Sequence, residues 1–171
     1  MIGSNRNKRR SPVRQQANVF QFRRFYRIYS CLVWGASIYD PGGYEQFPTI
    51  DIDDEKFGNA VREALAASRA SPDDELWDRA YDYRRTGEFK KTDRTMLELA
   101  GVKSLRTLYR GAGSVSVWHD ENSITISAWK NTGVESWGPV RNYERLELPD
   151  TIKDEELGAA IREHLAISKG A

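Results

Sequence analysis

Residues 54–69, DEKFGNAVREALAASR, recur 100 positions later as residues 154–169, DEELGAAIREHLAISK, with nine of sixteen residues identical. The shared positions are Asp54/Asp154, Glu55/Glu155, Gly58/Gly158, Ala60/Ala160, Arg62/Arg162, Glu63/Glu163, Leu65/Leu165, Ala66/Ala166 and Ser68/Ser168. Apolar residues at 57, 61, 64 and 65, and again at 157, 161 and 165, follow helical spacing and predict two amphipathic helices. A glycine inside a helix costs about 1 kcal/mol against alanine, so one at the same place in both copies predicts close backbone packing there. The repeat predicts a duplicated unit.

Working back from the first helix, Asp51 or Asp53 caps it, and Asp54 and Glu55 suit its positive end. Before the cap, Asp40-Pro41-Gly42-Gly43 is a strong turn signal, with Ala36–Tyr39 and Tyr44–Ile50 as the arms of an expected hairpin. Val19 to Val33, VFQFRRFYRIYSCLV, is aromatic and β-branched and predicts strands. Ahead of it, residues 1–18 have no aromatic residue and no apolar period, and are expected to form a basic, mobile tail.

Forward from the first helix, residues 70–101 have no counterpart in the second half and read as a helical insert. Ser71-Pro72-Asp73-Asp74 starts one helix, Thr92 to Ala100 forms a second ended by Gly101, and 84–92 reads as a loop. Ser114–Trp118 and Ser123–Trp129 alternate as a hairpin turning through His119-Asp120-Glu121-Asn122. Residues 131–142 read as a loop carrying Trp137, followed by a strand at 143–148 and a capping box from Thr151 to Asp154. The expected fold is therefore α+β: a duplicated unit of antiparallel strands followed by a helix, with approximate internal twofold symmetry. One domain, 19–171, would hold halves 19–69 and 102–171 around the insert 70–101, each half with its own small sheet.

Charge and composition narrow the function. Residues 1–27 carry eight Arg/Lys and no acid, leaving 18 basic against 25 acidic residues, a net of −7, in the remainder. An acidic body repels phosphate backbones and favours a basic protein as partner. Cys31 is the single cysteine, which excludes an internal disulfide or a zinc finger and fits a reducing cytoplasm. The apolar runs are short and the first 18 residues lack an apolar core, so neither a membrane span nor a signal peptide is expected.

The sequence offers little for catalysis. His119 lies at a hairpin turn where exposure is expected, and His164 stands mid-helix where the other copy has Ala64. Cys31 reads as a small core residue in a strand. Gly111-Ala112-Gly113 precedes a strand rather than opening a helix, so it lacks phosphate-loop geometry. No enzyme activity, metal or cofactor is expected. Trp137, in a loop with no evident core to fill, reads instead as an interface anchor, in a candidate cluster with Glu135 and the hairpin-turn acids Asp120 and Glu121, although the one strand joining the two segments, Ser123 to Lys130, can put them at opposite ends. A rival surface is the insert, where Asp73, Asp74, Glu75 and Asp78 surround Trp77, although acids in a first helical turn have a structural reason of their own.

Three stretches carry a family resemblance: GGYEQFPTIDIDDEKFGNAVREALAASR (42–69), GVKSLRTLYRGAGSVSVWHDENSITISAWKN (101–131) and LPDTIKDEELGAAIREHLAIS (148–168). Together they resemble the CdiI immunity proteins of bacterial contact-dependent growth inhibition, over about residues 22–169. The matching elements are the Gly-Gly-Tyr turn leading to Phe-Pro and the twin DEELG-type helices, which are scaffold signatures. The resemblance implies a cytoplasmic protein that binds the C-terminal toxin domain of a cognate CdiA protein, commonly a nuclease, and performs no chemistry. Some such proteins also look like Whirly-type folds, so the alternative is a single-stranded nucleic-acid-binding module using strand aromatics and the basic tail.

Overall fold

In the computed structural model, residues 14–171 are described. Among the described residues, nine strands lie in one sheet. At its centre β1 (Arg14–Gln21) runs antiparallel to β6 (Gly113–Asp120), with Ala17 opposite Val117 and Val19 opposite Val115. Outward from this pair, β2 (Tyr26–Val33) flanks β1, and β7 (Ser123–Gly133) flanks β6.

Each long outer strand carries two short ones along its free side. β3 (Ser37–Tyr39) and β4 (Glu45–Gln46) both pair with β2; β8 (Ser136–Pro139) and β9 (Leu146–Pro149) both pair with β7. The arms flanking Asp40-Pro41-Gly42-Gly43 therefore do not pair with each other as a hairpin. The turn is a four-residue bulge between two strands on one neighbour, closed by Gly43 N–H donating to the Asp40 carbonyl at 3.0 Å. A side chain at Gly43 would overlap Ser30 Oγ, which accepts from Tyr44 N–H at 2.8 Å, so a larger residue there would displace that bond.

Alternation divides the sheet into two faces. Ala17, Val19, Tyr26, Ile28, Val115, Val117, Ile124, Ile126 and Ala128 point to one side, where α1 (Asp54–Ala67) and α5 (Asp154–Gly170) cover them. From the helices, Phe57, Val61, Leu65, Leu157, Ile161 and Leu165 complete this core at 0–3 % exposure, each worth roughly 1.5–3 kcal/mol of burial. The two helices cross at their first turns. A side chain at Gly58 would overlap the Asp154 carbonyl, and one at Gly158 the Asp54 carbonyl, so the close approach expected from the repeated glycine is present.

The other repeated residues also meet matching partners. Arg62 Nε donates to Asp154 at 2.6 Å and its guanidinium to the Ile152 carbonyl; Arg162 Nε donates to Asp54 at 2.5 Å and its guanidinium to the Ile52 carbonyl. Ser68 Oγ accepts from Gln16 N–H and donates to the Cys31 carbonyl, while Ser168 Oγ accepts from Ser114 N–H and donates to the Trp129 carbonyl. Asp53 caps α1 through Lys56 N–H at 2.8 Å. At α5 the cap is Lys153, whose N–H reaches Glu156, rather than Thr151.

On the opposite face, α3 (Phe89–Ala100) and α4 (Leu105–Tyr109) lie over Phe20, Tyr29, Cys31 and Val33, and α2 (Asp74–Arg85) packs Tyr83 against Tyr39 of β3. The helical layer departs from the expected insert in three ways. Arg69–Ala70 is a short strand, β5, parallel to β2; α3 starts at Phe89, so the expected loop 84–92 shrinks to residues 86–88; and α4 extends the layer beyond 101. Gly101 ends α3 in the left-handed region at φ 67°, as its place predicted.

Two further expectations are corrected. The halves do not have separate small sheets: pairing β1 to β6 merges them and removes two central edges that would otherwise be open. Residues 14–18 are not tail but the start of the central strand, with Ala17 fully buried; the polar-looking RQQAN hides a period-2 pattern whose other face is hydrogen-bonded. The rest of the expected tail, 1–13, lies outside the described residues.

Candidate functional site

The acids and tryptophan expected to form one cluster sit at opposite ends of β7. Asp120 and Glu121 precede the strand and Glu135 and Trp137 follow it. In register Asp120 lies opposite Ser123 and Trp137 opposite Asn131, so at about 3.3 Å per residue the two groups are roughly 25–35 Å apart. Asp120 is also engaged by Arg14 at 3.2 Å, while Glu121 is free and exposed in the turn. Trp137 belongs to β8 rather than a loop and is half-buried, its ring 5.4 Å from Phe20 and 6.5 Å from Tyr109. Its inner side packs on the aromatic core, so the expected loop is corrected to a strand while part of the ring stays open.

In the insert, Asp73, Asp74, Glu75 and Asp78 are exposed around a half-buried Trp77, as expected. Asp73 caps α2 by accepting from Glu75 N–H at 2.9 Å, and Trp77 Nε1 donates to the Ser71 carbonyl at 2.8 Å. Both residues thus have structural work, but the carboxylates of Asp74, Glu75 and Asp78 remain open to solvent.

A longer acidic edge was not anticipated. Glu121 shares an open groove of about 590 Å³ with Asp120 and Glu147. Next to it, Glu55, Asp150, Asp154 and Glu155, with Lys153 and with Arg62 paired to Asp154, border a second groove of about 530 Å³, and Asp150 N–H donates to the Asn122 carbonyl where the two meet. His119, half-buried rather than exposed, faces this junction with Nδ1 at 3.1 Å from Gln15 Oε1 and Nε2 at 3.6 Å from Asp150. Because the basic residues at 14–27 belong to the fold, the described chain has 22 Lys/Arg against 25 Asp/Glu and a net charge of −3, not −7. Its acidity is therefore a matter of local arrangement.

A third place is a cavity of about 150 Å³ between the sheet, α2, α3 and the β7–β8 turn. Arg27 and Tyr29 come from β2, Tyr39 from β3, Tyr83 and Arg84 from α2, Asp93 from α3 and Glu135 from the turn. The Arg27 guanidinium donates to Glu45 at 2.8 Å and lies 4.6 Å from the Tyr29 ring and 5.3 Å from the Tyr39 ring. Burial, and then the charge of nearby Glu135, raise the Asp93 carboxyl above its usual range. Burial pushes the Tyr29 hydroxyl up to about 12. The signal for this site was Arg27 itself, a charge in the middle of the apolar strand FYRIYS.

Elsewhere on that face the strand tryptophans are occupied. Trp118 Nε1 donates to Gln16 Oε1 at 2.8 Å, and Trp129 Nε1 to Ser116 Oγ at 2.9 Å. Ser116 Oγ and Gln16 Nε2 both donate to Asn18 Oδ1, and Asn18 donates onward to the Tyr29 hydroxyl. Arg14 and Arg145 each lie within 5.4 Å of the Trp118 ring, so no base could stack on it without displacing them.

The remaining reactive groups are buried in structural roles. His164 Nδ1 is 2.8 Å from the Ala160 carbonyl, and burial pushes the Cys31 thiol up to about 12. Among the described residues no group of three or more His, Cys, Asp or Glu could hold a metal ion, and no helix is long and apolar enough to cross a membrane.

With this geometry in view, comparison with known proteins gives a consistent result. The model of the family CdiI, CDI immunity protein, matches residues 15–168. Immunity protein CdiI-YPIII of Yersinia pseudotuberculosis serotype O:3 (strain YPIII) is 27 % identical over 145 residues, 77 % of this chain and 82 % of that one. Among solved structures, a protein of unknown function from Neisseria meningitidis superposes with a TM-score of 0.80 at 21 % identity, covering 94 % of this chain and 98 % of that one. The CdiA-CT/CdiI toxin and immunity complex from Yersinia pseudotuberculosis gives a TM-score of 0.77 at 24 % identity, covering 90 % and 97 %. The structural likenesses establish a shared mixed α and β fold.

Proposed function

The chain belongs to the CdiI family, an immunity protein of a contact-dependent growth inhibition toxin and immunity pair, and we propose that it acts in the cytoplasm by binding the C-terminal toxin domain of a cognate CdiA protein. The family match over nearly all of the described chain carries this reading. The toxin is a nuclease in this proposal, because an enzyme that handles RNA or DNA has a basic surface, and two open acidic surfaces are available to meet one. The first is the edge formed by Asp120, Glu121, Glu147, Asp150 and Glu155. The second is the patch of Asp73, Asp74, Glu75 and Asp78 around Trp77. Complementary charge speeds encounter and selects partners by sign. Glu135 and Trp137 contribute from the far end of β7, Trp137 as support for the turn that presents Glu135.

We also read the two halves as copies of one unit related by an approximate twofold, a reading supported by the matched glycine, arginine and serine contacts. The alternative of a nucleic-acid-binding module finds no support in the occupied strand tryptophans.

The test is co-expression of the chain with the CdiA C-terminal domain encoded beside it, read as growth, together with binding of the purified pair. Restored growth and a stable complex are expected. A chain that neither binds that domain nor restores growth overturns the reading.

A further inference from the structure

Three properties of the tyrosine-lined cavity converge on one kind of guest. The first is size. At about 150 Å³ it is smaller than the roughly 300–1,000 Å³ of pockets that take whole cofactors or nucleotides, but it has room for the end of one side chain.

The second is charge. Arg27 is already neutralised by Glu45, which leaves Arg84 as the other cation on the wall against two carboxylates, Asp93 and Glu135. Asp93 has no hydrogen-bond donor among the described residues. Glu135 has one long contact, from the Tyr109 hydroxyl at 3.4 Å. The site is therefore one positive charge short, and the repulsion of Asp93 by Glu135 would turn into attraction for a cation placed between them.

The third is the wall. Tyr39 lies 4.8 Å from Tyr83 and 5.2 Å from Tyr29, and this cluster already holds the Arg27 guanidinium over two of its rings. A second cation would find the same aromatic environment, where cation–π attraction is worth about 0.5–2 kcal/mol.

We propose that this cavity seats a single basic side chain, arginine or lysine, of the toxin domain, clamped between the Asp93 and Glu135 carboxylates and the tyrosine rings. The proposal rests on the toxin-binding reading above and names the chemistry of one central contact. It makes the 70–101 insert, which supplies Tyr83 and Asp93, part of the binding surface rather than a cover over the sheet. A partner side chain desolvated in such a seat would act mainly on dissociation, whereas the open acidic edges would act on encounter.

The experiment has two arms on the full chain. In the first, N-acetylarginine amide and N-acetyllysine amide are titrated into isotope-labelled protein, with N-acetylaspartate as the acidic control. Amide shifts centred on Asp93, Glu135 and Tyr39, seen with the basic probes and lost in the isosteric double variant Asp93→Asn/Glu135→Gln, are expected. In the second arm, the double variant, shown to be folded by its amide spectrum, should leave the cognate toxin domain at least about 10-fold faster than the unchanged chain. Shifts with the acidic control alone, or no shifts and an unchanged dissociation rate, overturn the proposal. If the basic probes bind but the unchanged chain neither binds the toxin nor protects cells, the toxin-binding reading fails, and with it the assignment of the seat to a toxin side chain.

Discussion

Gly58 lies so close to Asp154 that a β-carbon on the glycine would overlap the aspartate's backbone carbonyl. The same contact is made by Gly158 and Asp54, so both helix crossings rest on backbone rather than on a side chain that could move aside. Alanine would return about 1 kcal/mol of helix propensity at either position, but the overlap can be relieved only by moving a helix. Gly58→Ala and Gly158→Ala should each lower stability by a net of about 2–3 kcal/mol in urea unfolding. Unchanged midpoints in both would show that the crossing has slack.

The two repeated arginines should not be equivalent. Arg62 and Arg162 bind matching aspartates and carbonyls, and each makes a third bond, Arg62 to the Asp150 carbonyl at 3.0 Å and Arg162 to the Tyr26 hydroxyl at 2.6 Å, but Arg162 also lies 5.4 Å from the Tyr26 ring and 5.0 Å from the Phe57 ring. Their side chains are similarly accessible, at 29 % and 30 %, so exposure does not separate them. Arg162→Ala should cost about 2–4 kcal/mol and Arg62→Ala about 1–3 kcal/mol. Equal losses in thermal unfolding would mean that the aromatic contacts add nothing.

Cutting the chain after Asn18 should abolish folding. The cut removes Ala17, which is fully buried, and the donor that Ser68 accepts from, and it leaves β2 and β6 with open edges. A cooperative thermal transition in the truncated protein would contradict the central place of β1.

Asp93→Asn should stabilise the protein above its carboxyl's ordinary range. Burial and Glu135 raise the carboxyl in the fold, so the native state holds its proton to a higher pH than the unfolded chain does. Stability tied to that proton is present at acid pH and lost as pH rises through the raised value. The variant should therefore have a midpoint a few degrees higher at pH 7, and no advantage near pH 3. A midpoint at pH 7 equal to or below that of the unchanged protein would show that the carboxylate has a partner.

Reversing charge on the acidic edge, with Glu121→Lys and Glu147→Lys, should slow association with the toxin by about 2- to 10-fold at low salt and leave dissociation nearly unchanged. Trp137→Ala should instead destabilise the fold by about 2–4 kcal/mol, because it removes a ring packed on Phe20 and Tyr109. Wild-type association in both charge variants would move attention to the Trp77 patch.

What could be read in the sequence was what is written locally. The two helices, their glycines, the Asp53 cap, the β6–β7 hairpin and the Gly101 stop each follow from a few adjacent residues. What escaped was non-local. β1 begins in RQQAN, whose glutamines and asparagine look like a tail because the partners that satisfy them, Trp118, Ser116 and Tyr29, are distant in the chain. The cavity was missed for the same reason: Arg27, Asp93 and Glu135 become neighbours only after the sheet and insert have closed. Trp137 was placed in a loop because the residues it packs on, Phe20 and Tyr109, precede it by 117 and 28 positions.

The pairing of Ala17 with Val117 also sets a clock on synthesis. A ribosome that has made β1 must add 100 residues before its partner strand exists, which at about 5–20 residues per second takes roughly 5–20 s. During that interval β1 and β2 have no β6 to complete the centre of the sheet, and α1 has no α5 to cross. A nascent chain stopped before Leu165 lacks the last residues of the core, so protection belongs to finished molecules. Completion of the fold therefore falls at the very end of synthesis, when the last turns of α5 reach the sheet.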